Sequence, residues 1–331
     1  MRVLEEFLKP MQAGLFKMLR KMYKSKTYVS ENNFILVCGQ APVMLVAHLD
    51  TVHSEPVRTI CKSKDKNVLM SPQGIGGDDR CGVFALVKTY ELVDKKPWLL
   101  FTCNEATGGL GANAFCKAHK NSKLPAELNA LKFLVEIDRR GSRDAVYYDC
   151  DNLEFEKYIA SKGFQTAFGS FSDISYVAPE LGIAAVNLSS GYYNAHTLHE
   201  YIVRSELEHV IEKVCEMVAD AVKDTCPKYA YVKKARDIGI YSDLSSSFYR
   251  ANKVYSATPR HTFKKSTATD FEEVTPKKLS HKYEEIYDEL LDFYTAEELE
   301  QYRAEYGDQI LRQLYIDEYG AFYAAQDRRL I

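Results

Sequence analysis

Met44-Leu45-Val46-Ala47-His48-Leu49-Asp50-Thr51-Val52 places an imidazole and a carboxylate two residues apart, directly after an apolar run. Side chains alternate along extended backbone, so residues i and i+2 lie on the same side of a strand or of its exit. Asp50 can therefore orient the His48 ring, or hold its second N–H while the other nitrogen binds a metal. Four further segments accompany this one: Gly76-Gly77-Asp78-Asp79-Arg80, Asn104-Glu105-Ala106-Thr107-Gly108, Glu136-Ile137-Asp138 and Asn194-Ala195-His196-Thr197. Most of their acidic or histidine groups follow an apolar or β-rich run, or sit in a Gly-rich turn. Together they read as one metal-hydrolase site assembled from the ends of several strands.

Outward from that stretch, strands and helices alternate. Residues 27–37 and 43–47 read as two strands separated by the turn Gly39-Gln40-Ala41-Pro42. The spacing of Val83, Phe84, Leu86, Val87, Tyr90, Leu92 and Val93 predicts a helix over 81–93. Strands are expected over 98–103, 131–137 and 183–188, with 147–149 a further candidate. Helices are expected over 111–119, 152–162 and 205–223. This alternation indicates an α/β sheet with helices on both faces. Sites in such sheets lie outside the carboxyl ends of the strands, where the polar segments fall.

The chain has 331 residues, enough to bury a full core, and its length predicts about two units. A formal net charge of -3 argues against a generic nucleic-acid binder. No apolar run reaches the roughly 18 residues that a membrane span needs. Residues 1–26 alternate Leu, Phe and Met with Lys and Arg at helical spacing and lack the apolar core of a signal peptide, so one amphipathic helix is expected there. None of the eight cysteines forms a Cys-x-x-Cys pair. Buried reduced thiols in a cytoplasmic protein explain them better than disulfides or a Cys-ligated zinc.

Composition shifts near Cys226-Pro227. Residues 1–226 are expected to form the first domain, and 227–280, with the run Ser245-Ser246-Ser247, a linker or loosely packed arm. Residues 281–331 carry two apolar stripes, Tyr283, Ile286, Tyr287, Leu290, Leu291 and Tyr294, then Leu299, Tyr302, Tyr306, Ile310, Leu311 and Leu314. Thr295 and Glu298 stand at capping-box spacing between them, which predicts a helical hairpin. Its stripes must bury against the first domain, a second copy of the chain or a partner protein; packing within the chain is the simplest of these.

Two cations held a few ångströms apart need a shared carboxylate plus terminal histidine and carboxylate ligands. Asp78 suits the shared role because Gly74, Gly76 and Gly77 let the chain turn sharply around it. An Asp in such a turn can equally be a cap or turn former, and Asp79 beside it reads as supporting. His48 alone could be a core histidine. Asp138 could belong to a surface ion-pair cluster with Glu136, Arg139 and Arg140. His199 competes with His196, and the Glu200 carboxylate could orient the loop or the ring. Gly169-Ser170-Phe171-Ser172-Asp173 reads either as a substrate-facing loop, offering Ser172 and Asp173, or as a surface turn.

These segments make the sequence resemble the dinuclear zinc exopeptidases, the M28 aminopeptidases and the related M20 carboxypeptidases and deacylases. The matching pieces are Ala47-His48-Leu49-Asp50-Thr51, Gly77-Asp78-Asp79-Arg80-Cys81-Gly82, the 105–112 segment, Glu136-Ile137-Asp138 and His196-Thr197-Leu198-His199-Glu200. They occur in family order across roughly residues 30 to 222. The resemblance implies a three-layer α/β fold with a mixed sheet flanked by helices, here with a C-terminal helical extension. It implies that His48 and Asp138 bind one zinc, His196 the other, and that Asp78 bridges them. Asp50 would support His48, and Glu105 would be the general base acting on the water between the metals. The gap from Asp138 to His196 is too short for the inserted domain of M20 enzymes, which favours the lidless M28 type.

One position departs from the family. The pattern Glu-Glu-x-Gly-x-x-Gly is here Glu105-Ala106-Thr107-Gly108-Gly109-Leu110-Gly111. Ala106 stands at the expected fifth ligand position without a donor atom, which weakens the second zinc site. Three accounts are open: an engineered inactive form of an enzyme with Glu at 106, a natural enzyme using one zinc or a ligand from elsewhere, and a pseudoenzyme. Retention of the other ligands and of Glu105 favours the first. The expected activity is hydrolysis of a peptide bond, as an aminopeptidase on short peptides, impaired by Ala106. An amidase or deacylase acting on a small N-acyl compound is the enzymatic alternative. The other is an inactive binding or scaffold protein.

Overall fold

A strand whose every residue is buried can only lie inside a sheet covered on both faces, and Val43–His48 is buried at all six positions. The computed structural model describes residues 2–24, 27–167, 169 and 171–234. Within 283–315 it describes 283, 286, 287, 290, 299, 300, 302, 303, 308, 310–312, 314 and 315. The chain divides into two units, Met1–Lys234 and Ala235–Ile331.

In chain order the first unit begins with α1 (Glu5–Leu8), α2 (Gln12–Met22), β1 (Thr27–Ser30), β2 (Phe34–Val37) and β3 (Val43–His48). Two short strands follow, β4 (Cys61–Lys62) and β5 (Val68–Met70), then α3 (Gly77–Leu92), β6 (Trp98–Thr102) and α4 (Leu110–Lys120). Next come β7 (Phe133–Arg139), β8 (Asp144–Val146), α5 (Leu153–Ser161), β9 (Gln165–Thr166) and α6 (Ile174–Leu181). The unit closes with β10 (Ala185–Ser189), β11 (Tyr192–Tyr193), β12 (Tyr201–Val203) and α7 (Arg204–Ala221).

Eight strands form the main sheet in the order β1-β2-β6-β3-β7-β10-β8-β9. Its centre, β6-β3-β7-β10, is parallel, while β1, β2 and β8 join antiparallel, so the sheet is mixed. His48 pairs with Thr102, so β3 and β6 end level at the carboxyl edge. Each central strand sends alternate residues to opposite faces, as period-2 geometry requires. Val43, Leu45 and Ala47 join one core with α2, α3, α5 and α7, whereas Met44 and Val46 join the other with α4 and α6. The fold is therefore the expected three-layer α/β arrangement, a mixed sheet flanked by helices.

Several local expectations change. Residues 1–26 form two helices rather than one, because Pro10 has no backbone N–H to continue the first. The strand expected over 27–37 is a hairpin, β1 and β2, turning where Asn32 adopts a positive φ of 58°. The strand candidate at 147–149 is not one; Tyr148 has φ 52°, outside the β region, and pairing occurs at β8 instead. A second sheet, β11-β12-β5-β4, has strands of two or three residues and no periodicity that a sequence could display. Its β11–β12 hairpin holds the 194–200 loop.

Among the described residues no helix is long and apolar enough to cross a membrane. No disulfide forms among the described residues. In the second unit, Ile286, Leu290, Leu299, Ile310, Leu311, Leu314 and Tyr315 bury together in one cluster, and each of these seven is in helical conformation. Of the arm expected over 227–280, residues 227–234 fall within the first unit, whereas 235–280, with the serine run, and the capping positions Thr295 and Glu298 lie outside the described residues.

Candidate metal centre

The carboxyl edge of the main sheet gathers the polar segments. His48 closes β3, Asp138 lies near the end of β7, Glu105 follows β6, and Asp78 opens α3 after the left-handed Gly76. His196 hangs from the 194–200 loop with φ 66°. His48 Nε2 lies 3.0 Å from Asp78 Oδ1 and 3.6 Å from Asp138 Oδ2. The other Asp78 oxygen, Oδ2, lies 3.0 Å from His196 Nε2. One carboxylate thus stands between two imidazoles.

Asp50 braces this arrangement. Its Oδ1 accepts the Glu105 N–H at 3.0 Å and faces His48 Nδ1 at 3.4 Å, while Oδ2 accepts the Ala106 N–H at 3.1 Å. Burial alone would raise the Asp50 carboxyl, but the His48 ring and the two amides outweigh it and hold it at about 2. With Nδ1–H turned to Asp50, the Nε2 lone pair of His48 would face two carboxylate oxygens. Lone pair against carboxylate is repulsive unless a proton or a cation lies between them.

Charge in the pocket is acid-rich. Burial, helped by Asp138, Asp173 and Asp78 against the opposing His48, pushes Glu105 up to about 9. Burial and the Asp78 charge raise Asp138 to about 6. The Asp78 hydrogen bond raises His196 to about 9 against the effect of its burial. A divalent cation would neutralise this excess and invert these directions. One ligand atom from each of His48, Asp78 and Asp138 lies within 4.8 Å of the others, the one such trio among the described residues. Three protein ligands with a position left open suit a catalytic zinc. The His196–Asp78 pair belongs to no such trio among the described residues; Ala106, in the Glu105 turn, is exposed and carries only a methyl group.

Asp79, expected to be supporting, and Glu200 both hold backbone of the centre, and Tyr192, Asn187 and His53, which no local pattern marks, join them. Asp79 is fully buried and accepts the His48 N–H at 3.2 Å and the Gly82 N–H at 2.9 Å. Glu200 does not orient the His196 ring; its oxygens accept the Gly76 and Asp78 amides, each at 2.9 Å, and one faces His53 Nε2 at 3.1 Å. Asp138 accepts the Tyr192 hydroxyl at 3.3 Å, and its backbone exchanges hydrogen bonds with the Asn187 side chain. Arg139 turns to Asp144 at 3.6 Å, whereas the Asp138 carboxylate turns to His48. The side chain of Glu136 is fully buried and accepts from Ser172 Oγ.

Ser172 and Asp173 require correction as substrate-facing residues. Both are buried, Ser172 against Glu136 and Asp173 against the Thr102 hydroxyl, so they pack beneath the strand ends. Ser170 lies outside the described residues. His199 is exposed, and its backbone N–H donates to Thr197 Oγ1 at 3.1 Å.

Gly82 shows how tightly this floor is built. A Cβ there would lie 2.1 Å from the Ile137 carbonyl oxygen and 2.4 Å from Asp79 Oδ1. Gly82→Ala is expected to cost about 1–3 kcal/mol. Thermal unfolding should show this as a midpoint lower by about 2–4 °C per kcal/mol; an unchanged midpoint would mean that the floor yields freely.

No family profile matches the chain, and no curated protein does. Solved structures do match in fold. The aminopeptidase PepT from Bacillus cereus is 14% identical and superposes with a TM-score of 0.50, covering 66% of this chain and 98% of its own. A tripeptidase from Staphylococcus aureus is likewise 14% identical, with a TM-score of 0.49 over 66% of this chain and 96% of its own. At such identities the likeness is one of fold.

Proposed function

We propose that the first unit is a zinc-dependent exopeptidase, acting as an aminopeptidase on short peptides. The observation that supports it most is the Asp78 carboxylate, whose two oxygens each face an imidazole at 3.0 Å while Asp138 closes on the His48 side. His48 Nε2, Asp78 Oδ1 and Asp138 Oδ2 would hold the first zinc. His196 Nε2 and Asp78 Oδ2 would hold a second one weakly, for want of a donor at Ala106.

When bound, zinc supplies Lewis acidity that makes a water nucleophilic near neutral pH and polarises the scissile carbonyl. Glu105 takes the attacking water's proton and passes it to the departing amine. Asp50 ties the Glu105 turn to the His48 ring, accepting the Glu105 and Ala106 amides while its Oδ1 faces His48 Nδ1 at 3.4 Å. Glu200 keeps Asp78 at the mouth of α3 by holding its amide.

Hydrolysis assays on the zinc-loaded chain test the reading. A dipeptide with a free amine should be cleaved, its N-acetyl counterpart should resist, and chelation should abolish turnover. Cleavage of N-blocked compounds alone would transfer the site to an amidase or deacylase. Ala106 favours a second reading, an inactive binding protein of the same fold, and complete absence of turnover at saturating zinc would support it.

A further inference from the structure

We propose that the N-terminal segment is a working part of this site, with Gln12 positioning Glu105 through Asn104. The inference rests on the reading of Glu105 as the proton acceptor. Gln12 is the first residue of α2 and meets Asn104 twice. Its Nε2 donates to Asn104 Oδ1 at 3.0 Å, and its Oε1 accepts the Asn104 backbone N–H at 3.0 Å. A primary amide that satisfies one donor and one acceptor of the same residue fixes orientation as well as distance.

Asn104 needs such a hold. Its φ of 59° lies in the left-handed region, which asparagine tolerates better than other L-residues but which is still sparsely populated, so contacts that fix it there bias the turn. Beyond Asn104 the turn is tied from other directions. Asp50 holds the amides of Glu105 and Ala106, and Asn113 Nδ2 donates to the Gly109 carbonyl at 2.9 Å. Gln12 therefore governs the entry of the chain into the turn, immediately before the carboxylate.

The segment carrying Gln12 is anchored at its other end to the Asp78 loop. Arg80, two residues after Asp78, is 1% exposed. Its Nη1 donates to the Phe7 carbonyl at 3.2 Å and to the Pro10 carbonyl. A buried guanidinium is costly unless its N–H groups find acceptors, and the break between α1 and α2 at Pro10 provides two carbonyls for Nη1. Residues 7–12 thus span from the loop of the shared carboxylate to the turn of the proposed base.

The test uses the full zinc-loaded chain with Gln12→Ala and Gln12→Glu. The glutamate keeps an acceptor for the Asn104 N–H and, once the Asn104 amide turns over, accepts from its Nδ2. In Gln12→Ala kcat on a free-amine dipeptide should fall by about ten- to a hundred-fold, since small misplacements of a reacting group cost this much. KM and zinc affinity should stay within about twofold, and Gln12→Glu should recover most of the rate. An unchanged kcat in Gln12→Ala overturns the inference. So does a loss of kcat that follows zinc affinity and is not recovered by Gln12→Glu, because the role is then structural only. If the parent chain cleaves nothing, the exopeptidase reading fails by itself, and amide exchange judges the contact. Gln12→Ala should then speed exchange over 104–109 by about tenfold or more and leave 133–139 unchanged; unchanged exchange over 104–109 refutes the positioning.

Discussion

Replacing Ala106 with glutamate is expected to raise zinc binding from about one ion per chain toward two, and hydrolysis of a free-amine dipeptide by on the order of 100-fold. The Ala106 amide is held by Asp50 Oδ2 at 3.1 Å, so the backbone that would carry the new carboxylate is already fixed. His196 Nε2 and Asp78 Oδ2 lie 3.0 Å apart and lack a third protein ligand from this turn. A carboxylate there would complete a three-ligand set like that of His48, Asp78 and Asp138. Zinc titration followed by calorimetry, with rates measured on the same samples, reads both quantities. If neither stoichiometry nor rate responds, the site is not a disabled hydrolase and the scaffold reading gains.

Asp78→Asn is expected to have the opposite and larger effect on metal affinity. Both Asp78 oxygens face imidazole nitrogens at 3.0 Å, so the substitution removes the carboxylate that, among the described residues, faces both imidazoles. It leaves His48 with Asp138 at 3.6 Å and His196 with no carboxylate of the trio. Removing one partner from a buried charge cluster costs roughly 3–5 kcal/mol. That corresponds to a zinc Kd weaker by about two to four orders of magnitude. The volume is conserved, and the backbone contacts of Asp78 to Glu200 persist, so the fold should survive. Circular dichroism of the variant separates lost affinity from lost structure. Wild-type zinc affinity in a folded Asp78→Asn protein would remove Asp78 from the centre.

Much of the architecture was legible in short stretches of chain. The apolar runs around Leu45, Leu100 and Val135 are the buried parallel strands β3, β6 and β7, and the stripe from Leu207 to Val218 is the inner face of α7. Periodicity of this kind is local and survives in sequence because burial on one or both faces dictates it residue by residue. It failed where elements are short. The strands β4, β5, β11 and β12 hold two or three residues each, and Pro10 broke a helix whose apolar spacing continues across the break.

The amino-acid order by itself determined the α/β layering and placed His48, Asp78, Glu105, Asp138 and His196 in segments that end or follow strands and turns. Only the tertiary structure decided which polar groups meet. It put Glu200 beneath the Asp78 turn across 124 positions and Gln12 against Asn104 across 92. It also buried Ser172 and Asp173 behind the site instead of before it. A hydrogen bond between residues so far apart leaves no repeat along the chain, because it depends on how helices and loops dock. The hydrophobic pattern requires docking to occur, whereas the partner of each polar atom is chosen only when the layers have closed.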